Sequence, residues 1–230
     1  MTDTLSNLGQ SPNVGAALIV SLGCEGTDHE RMVEEIRAAG KPVEIIRIQE
    51  LGGTSRAIQA GIDAAQRLVQ EISGLQRETV DISEVVMAIK CGASDTTSGM
   101  ASNCVIGYVA DKLVDLGATV VFGETTEFLG GEHILAKRAV GGENGPIGQK
   151  IYEIVDRMEK RAKSVGEDMR GGQPTPGNIA GGLSSIEEKS LGAIVKSGHR
   201  PIQGVLEYCD RVDGQKGLWI KDAPDGNRRF

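Results

Sequence analysis

Val85-Val86-Met87-Ala88-Ile89 runs directly into Lys90-Cys91-Gly92-Ala93-Ser94-Asp95-Thr96-Thr97-Ser98-Gly99, and a helical pattern begins near Ala101. A short apolar run without alternation reads as a strand buried on both faces. The stretch after it reads as a loop and then a helix start. Small residues let backbone approach a ligand, and the free N–H groups of a helix start can face an anion. The loop also carries a thiol, a carboxylate and four hydroxyls. The plainer reading is a capped helix start, with Ser94, Asp95 or Ser98 as N-cap. Loops on a rigid α/β scaffold nonetheless carry function more often than the elements they join.

The same order recurs on either side. Val14–Leu22 ends in Gly23-Cys24-Glu25-Gly26, and Thr27 or Asp28 can cap a helix to about Ala39. Val43–Ile48 leads to Leu51-Gly52-Gly53-Thr54-Ser55 and a helix over 55–73, with Ile58, Ile62, Ala65, Leu68, Val69 and Ile72 as its apolar face. Thr119–Phe122 leads to Gly123-Glu124-Thr125-Thr126-Glu127 and a short helix over 132–139. Four strand–loop–helix units predict an α/β fold with a parallel, doubly wound, Rossmann-like sheet. Ligands of such sheets bind outside the carboxyl ends of the strands. The loops at Cys24-Glu25, Gly52-Gly53-Thr54, Cys91–Ser98 and Glu124–Glu127 are therefore expected to face one crevice.

Farther on, 147–165 reads as a charged helix. Gly171–Asn178 is too rich in Gly and Pro for regular structure, and with Gly181-Gly182 it reads as a long loop, a linker or a lid, its chemical variety favouring a Gly-rich lid. Ser185 and Glu188 form a capping box for a helix over 185–197. Val205–Tyr208 and Leu218–Ile220 are short strand candidates, and 221–230 reads as a polar tail. The expected organisation is a parallel α/β domain over 1–168. Residues 169–230 add the Gly/Pro-rich loop and a C-terminal helical and short-strand extension packed on that domain.

Composition excludes several function classes. The net charge of −7 and an aromatic content of 3% oppose a nucleic-acid partner, which needs basic surface and stacking rings. The longest apolar run, Ala16–Val20, is far too short for a bilayer. Cys24, Cys91, Cys104 and Cys209 show no CxxC spacing and follow no apolar leader, which predicts free thiols and a cytoplasmic setting. There is no Walker A pattern and no full GxGxxG, so no nucleotide is expected. No GxSxG elbow is present either.

Glu124, Glu127, Glu132 and His133 form the densest group of carboxylates and imidazole. Two carboxylates flanking one loop can bind a hard cation or divide acid and base duties, and the plainer alternative is a solvated acidic loop. Cys24 and Cys91 follow strands directly, where thiols can bind metal or act as nucleophiles; close packing is the alternative.

Four segments together resemble one family. SPNVGAALIVSLGCEG (11–26), KCGASDTTSGMASN (90–103), GETTEFLGGEHILAKRAV (123–140) and TPGNIAGGLSSIEEKSLGAIVKSG (175–198) look like the altronate and galactarate dehydratases. These are sugar-acid dehydratases, and the family includes the large subunit of sulfolactate sulfo-lyase. The resemblance implies a hydro-lyase that removes water from a sugar acid such as altronate or galactarate, giving a 2-keto-3-deoxy acid. The alternatives are a sulfo-lyase that eliminates sulfite, or a non-catalytic subunit that keeps the fold. It further implies a divalent metal, Fe2+ or else Mn2+, a small β-rich companion subunit and a homo-oligomer. Under this resemblance Glu124, Glu127, His133 and Lys189 are the candidate catalytic residues. Gly92, Ser94, Asp95, Ser98, Asn103, Gly181 and Gly182 would bind substrate, and Cys24, Glu25 and Cys91 would ligate the metal. The family's usual Gly-Gly, Asn-Pro and Ser-Glu-Thr-Pro-Glu runs are here Gly92-Ala93, Asn103-Cys104 and Gly123-Glu124-Thr125-Thr126-Glu127, which leaves the substrate open.

Overall fold

A computed structural model describes residues 1–223; from residue 224 onward the expected polar tail lies outside the described residues. The chain divides into two units, Met1–Thr79 and Val80–Phe230. The division expected from the sequence lay at 168/169.

In the first unit the order is α1 (Thr2–Gly9), β1 (Ala17–Ser21), α2 (His29–Ala38), β2 (Val43–Arg47) and α3 (Thr54–Ile72). β1 and β2 pair in parallel, from Ala17 opposite Val43 to Ser21 opposite Arg47. α2 is the crossover. Asp28 caps it by accepting the Arg31 N–H at 3.0 Å, and Met32, Val33 and Ile36 form its buried stripe. α3 departs from the apolar face expected for it. Ile58, Ile62 and Val69 are exposed, whereas Ala57, Ala64 and Leu68 are buried. Small residues decide the matter: Ala57 and Ala64 pack with Ile46 of β2, so the helix turns its alanine face to the sheet.

The second unit contains β3 (Val86–Ile89), α4 (Asn103–Asp115), β4 (Thr119–Phe122), α5 (Glu132–Arg138), α6 (Pro146–Ser164), α7 (Met169–Gly172), α8 (Pro176–Ala180), α9 (Ile186–Ile194), β5 (Ile202–Leu206) and β6 (Gly217–Lys221). Its four-stranded sheet runs β3-β4-β6-β5, with every neighbouring pair parallel. β4 is buried along its whole length, as a central strand must be when helices cover both faces. The core joins Val120, Phe122, Leu135, Ile151, Ile194 and Leu218. Phe122 and Phe128 meet edge to face at 5.6 Å.

Three expectations about architecture are corrected. The strands do not form one doubly wound sheet; among the described residues they fall into a two-stranded and a four-stranded sheet. β5 and β6 are not an appended extension, because β6 lies between β4 and β5 inside the larger sheet. The stretch read as an irregular lid also contains helical turns, at the end of α7 and in α8. Thr175 Oγ1 accepts the Asn178 N–H, Asn178 Oδ1 accepts the Thr175 N–H, and Pro176 occupies the first turn, so a reciprocal cap starts α8 despite its glycine. Among the described residues no helix is long and apolar enough to cross a membrane.

Candidate functional site

Ile89 and Phe122 are partners at the carboxyl ends of the parallel strands β3 and β4. The loops that follow them must therefore emerge side by side. The Cys91 N–H donates to Glu124 Oε2 at 2.7 Å and stitches the two loops together. Glu124 adopts φ 69° and ψ 61°, and it is the non-glycine residue with positive φ among the described residues. Left-handed backbone costs an L-residue about 1–2 kcal/mol. Such strain persists only where the surroundings over-determine it, and it clusters at functional sites.

The turn Thr125–Phe128 follows, closed by the Glu127 N–H donating to Glu124 O at 2.7 Å. Thr125 ties it to the end of β6: its N–H donates to Ala223 O at 2.9 Å and its hydroxyl to Asp222 Oδ1 at 2.7 Å. This turn therefore carries Glu124 and Glu127 inward, leaving them 7% and 8% exposed. The alternative of a solvated acidic loop does not apply.

Their partner is Lys196, which is 1% exposed. It lies on the turn Val195–Ser197 that continues α9. Its ammonium donates to Glu124 Oε2 at 2.8 Å and to Glu127 Oε2 at 2.6 Å. Burial pushes Lys196 toward losing its proton, but the Glu127 and Glu124 carboxylates outweigh it and hold its pKa above the ordinary lysine value. Sequence patterning points to Lys189 as the cation of this segment and misses Lys196. The available signal is the buried stripe of α9: Ile186, Ser190, Ala193 and Ser197 recur at helical spacing, and Lys196 lies three residues after Ala193 on that side.

The loop from Cys91 to Ser98 forms the next part of the site. Cys91 is half-buried with Sγ 3.2 Å from Ser94 Oγ, and burial pushes its thiol up, away from the thiolate form. Asp95 and Ser98 cap each other: Asp95 Oδ1 accepts the Ser98 N–H at 2.7 Å, and Ser98 Oγ accepts the Asp95 N–H at 3.0 Å. The Thr97 hydroxyl and the Ser98 N–H hold the Asp95 carboxyl below its usual range. Gly181 O accepts both the Thr96 N–H and the Thr96 hydroxyl at 3.1 Å. A Cβ at Gly181 would lie 2.8 Å from Asp95 Cβ, and one at Gly182 would lie 2.4 Å from Thr96 Oγ1. These two glycines thus bring α8 and its following turn against the loop. Lys189 donates to Gln173 Oε1 at 2.8 Å and Asn178 Oδ1 at 3.2 Å, while Asn178 Nδ2 donates to Ser94 O at 2.8 Å. Among the described residues the Lys189 ammonium meets no carboxylate within ion-pair distance.

Other candidates of the second unit stand apart from this centre. His133 is exposed on α5 and makes no hydrogen bond or ion pair with Glu124 or Glu127. Asn103 commits its Nδ2 to Gly192 O at 2.8 Å, tying α4 to α9. Gly92 is exposed with open space around it. Cys24 and Glu25 belong to the first unit, where Glu25 accepts the N–H groups of Leu22, Gly23 and Cys24 at 2.9, 2.7 and 3.1 Å. Loop amides, those of Glu25 and Gly23 first, hold its carboxyl down at about 2.

Within the second unit the carboxylate donors are committed to Lys196 rather than to a metal. Among the described residues no three His, Cys, Asp or Glu side chains converge on a cation position. Glu124 and Glu127 instead direct Oε2 atoms at the Lys196 ammonium, which holds the place between them.

Parallel sheets, with a buried ionic centre beside the carboxyl ends of adjacent strands, define an α/β protein with its candidate site on the loop side of the sheet. More narrowly, the chain belongs to the D-galactarate/altronate dehydratase family. Residues 1–73 match the family's model described as D-galactarate dehydratase/altronate hydrolase, second domain, and residues 82–228 match D-galactarate/altronate dehydratase, C-terminal. These ranges follow the two structural units. The chain is 42% identical over 221 residues to the (2R)-sulfolactate sulfo-lyase subunit beta of Chromohalobacter salexigens, covering 96% of this chain and 55% of that one. It is 36% identical over 230 residues to the galactarate dehydratase (L-threo-forming) of Escherichia coli, and 33% identical over 224 residues to the altronate dehydratase of Bacillus subtilis. Both alignments cover 96% of this chain and 43% of the relative. The chain thus spans about half the length of the curated relatives it matches.

Proposed function

We propose that this chain supplies the elimination centre of a hydroxyacid lyase, removing water from a 2,3-dihydroxy sugar acid such as altronate or galactarate. The observation that carries the reading is the buried Lys196–Glu124–Glu127 cluster beside the Cys91–Ser98 loop. Elimination needs a base for the proton next to the carboxylate and an acid for the departing hydroxide. A carboxylate and an ammonium already sharing hydrogens in a dry site can fill the two roles. In this reading Glu127 takes the proton from the carbon beside the acid group, Glu124 helps hold Lys196 in place, and Lys196 donates toward the leaving oxygen. The hydroxyls of Ser94 and Thr96 hold the substrate's hydroxyls. Lys189, held by two neutral amide oxygens and no acid, attracts the substrate's acid group.

A sulfo-lyase reading has its own support in the 42% identity to a sulfolactate sulfo-lyase subunit. There sulfite leaves in place of hydroxide, and the base is unchanged. The test is an anaerobic incubation with aldonates, aldarates and sulfolactate, each with and without Fe2+ or Mn2+ and with and without a small companion subunit. The expected product is a 2-keto acid, and sulfite among the products assigns the second reading. No product in any arm would overturn both.

A further inference from the structure

The turn that delivers Lys196 is gripped by side chains that take no part in its ion pairs. On the α4 side, Asp111 Oδ1 accepts the His199 N–H at 2.7 Å and the Arg200 N–H at 3.1 Å. Gly107 lets α4 approach, since a Cβ there would lie 2.3 Å from Val195 O. On the other side stands Arg138, the last residue of α5. Its Nη1 donates to Ser197 Oγ at 2.8 Å, and its Nη2 donates to Ser197 O at 3.2 Å and Arg200 O at 3.0 Å. Ser197 Oγ passes the tether back to Ile194 O at 2.7 Å.

Arg138 has no carboxylate at ion-pair distance among the described residues, and its Nε is buried without a partner. Burial pushes its guanidinium below the ordinary arginine value. The Asp111 carboxylate pulls the other way but makes no ion pair with it, so the cation stays costly where a neutral side chain would fill the space more cheaply. What the guanidinium adds is a rigid, planar fork. All three of its bonds go to residues within four positions of Lys196.

We propose that Arg138 is the positioning residue of this centre: its fork fixes the Ser197–Arg200 turn so that the Lys196 ammonium falls between Glu124 and Glu127. The activity arm of the test rests on the elimination reading; the spectroscopic arm does not. In the full chain, the Lys196 side-chain ammonium is observed by 15N NMR and assigned by its loss in Lys196→Met. Wild-type protein is expected to give a slowly exchanging resonance. In Arg138→Met and Arg138→Lys, circular dichroism stays unchanged while that resonance shifts and exchanges about tenfold faster, matching the loss of roughly one 1.4 kcal/mol increment of order. Turnover falls by about a hundredfold in kcat with KM little changed, the scale of a misplacement of about 1 Å. Arg138→Lys keeps the charge without the fork, so it carries the test if Arg138→Met does not fold. Added guanidinium ion at sub-denaturing concentration restores the resonance in Arg138→Ala. A wild-type resonance in both variants would overturn the proposal, whatever the turnover. Full turnover by Lys196→Met would instead overturn the elimination reading and leave the spectroscopic outcome for Arg138 standing.

Discussion

At the scale of single residues, the decisive feature is a lysine with 1% of its surface exposed between two carboxylates. Removing one member of a buried ionic group leaves the others uncompensated, at a cost of about 3–5 kcal/mol. Lys196→Met is therefore expected to lower stability by that amount in denaturant titration, far beyond an exposed lysine such as Lys160 treated the same way. The pH dependence follows from the raised pKa of Lys196. A folded value above the unfolded one means the lysine's stabilisation is complete below the unfolded value of about 10.4. It is lost as pH rises through the folded value. Wild-type stability should thus fall at alkaline pH, and Lys196→Met should lack that component of the fall. Stability profiles that superimpose above pH about 10 would contradict the raised value.

At the scale of elements, glycine placement decides how closely helices approach. Gly107 and Gly61 both lie inside helices, where glycine to alanine gains about 1 kcal/mol if the space is free. At Gly61 the nearest atom to an added Cβ is 3.6 Å away, so Gly61→Ala should stabilise. At Gly107 the added Cβ would lie 2.3 Å from Val195 O, a backbone atom, so Gly107→Ala should destabilise by about 1–3 kcal/mol and disturb the Lys196 turn. Paired thermal melts of the two variants, shifting in opposite directions, are the expected outcome. Much of this scale is legible in the sequence. The first four strands, their loops and the caps at Asp28 and Ser185 follow from apolar runs and capping residues. The capping box at Ser185 forms only by half, because the Glu188 carboxylate turns to the Ser184 N–H and hydroxyl. Lys196 is hidden from such patterning because a cation in the last turn of a helix also reads as a solvated partner of the helix dipole. Only its place on the buried stripe argues otherwise.

At the scale of the whole molecule, each unit carries its own sheet and its own core. Alternating strands and helices fix the parallel sense of pairing, but they do not say where one sheet stops and another starts. That depends on which distant strands pair, and β6 takes its place beside β4 through pairs such as Thr119 with Gly217, nearly a hundred residues apart in sequence. The Glu124–Glu127 turn, the Lys196 turn and the Cys91 loop all belong to the second unit. Residues 80–230 expressed alone are therefore expected to unfold cooperatively and to keep the protected Lys196 ammonium. A non-cooperative melt would contradict an independent core there.

The most direct test of the central claim is the turnover number of Glu127→Gln, measured in the proposed assay on a hydroxyacid for which wild-type turnover is detected. The substitution keeps the shape and an oxygen acceptor for Lys196 but cannot take a proton at neutral pH. The expected result is a loss of about 10²–10⁴ in kcat, the range of a general base, with the fold retained by circular dichroism. Turnover equal to wild type in a folded Glu127→Gln protein would contradict it.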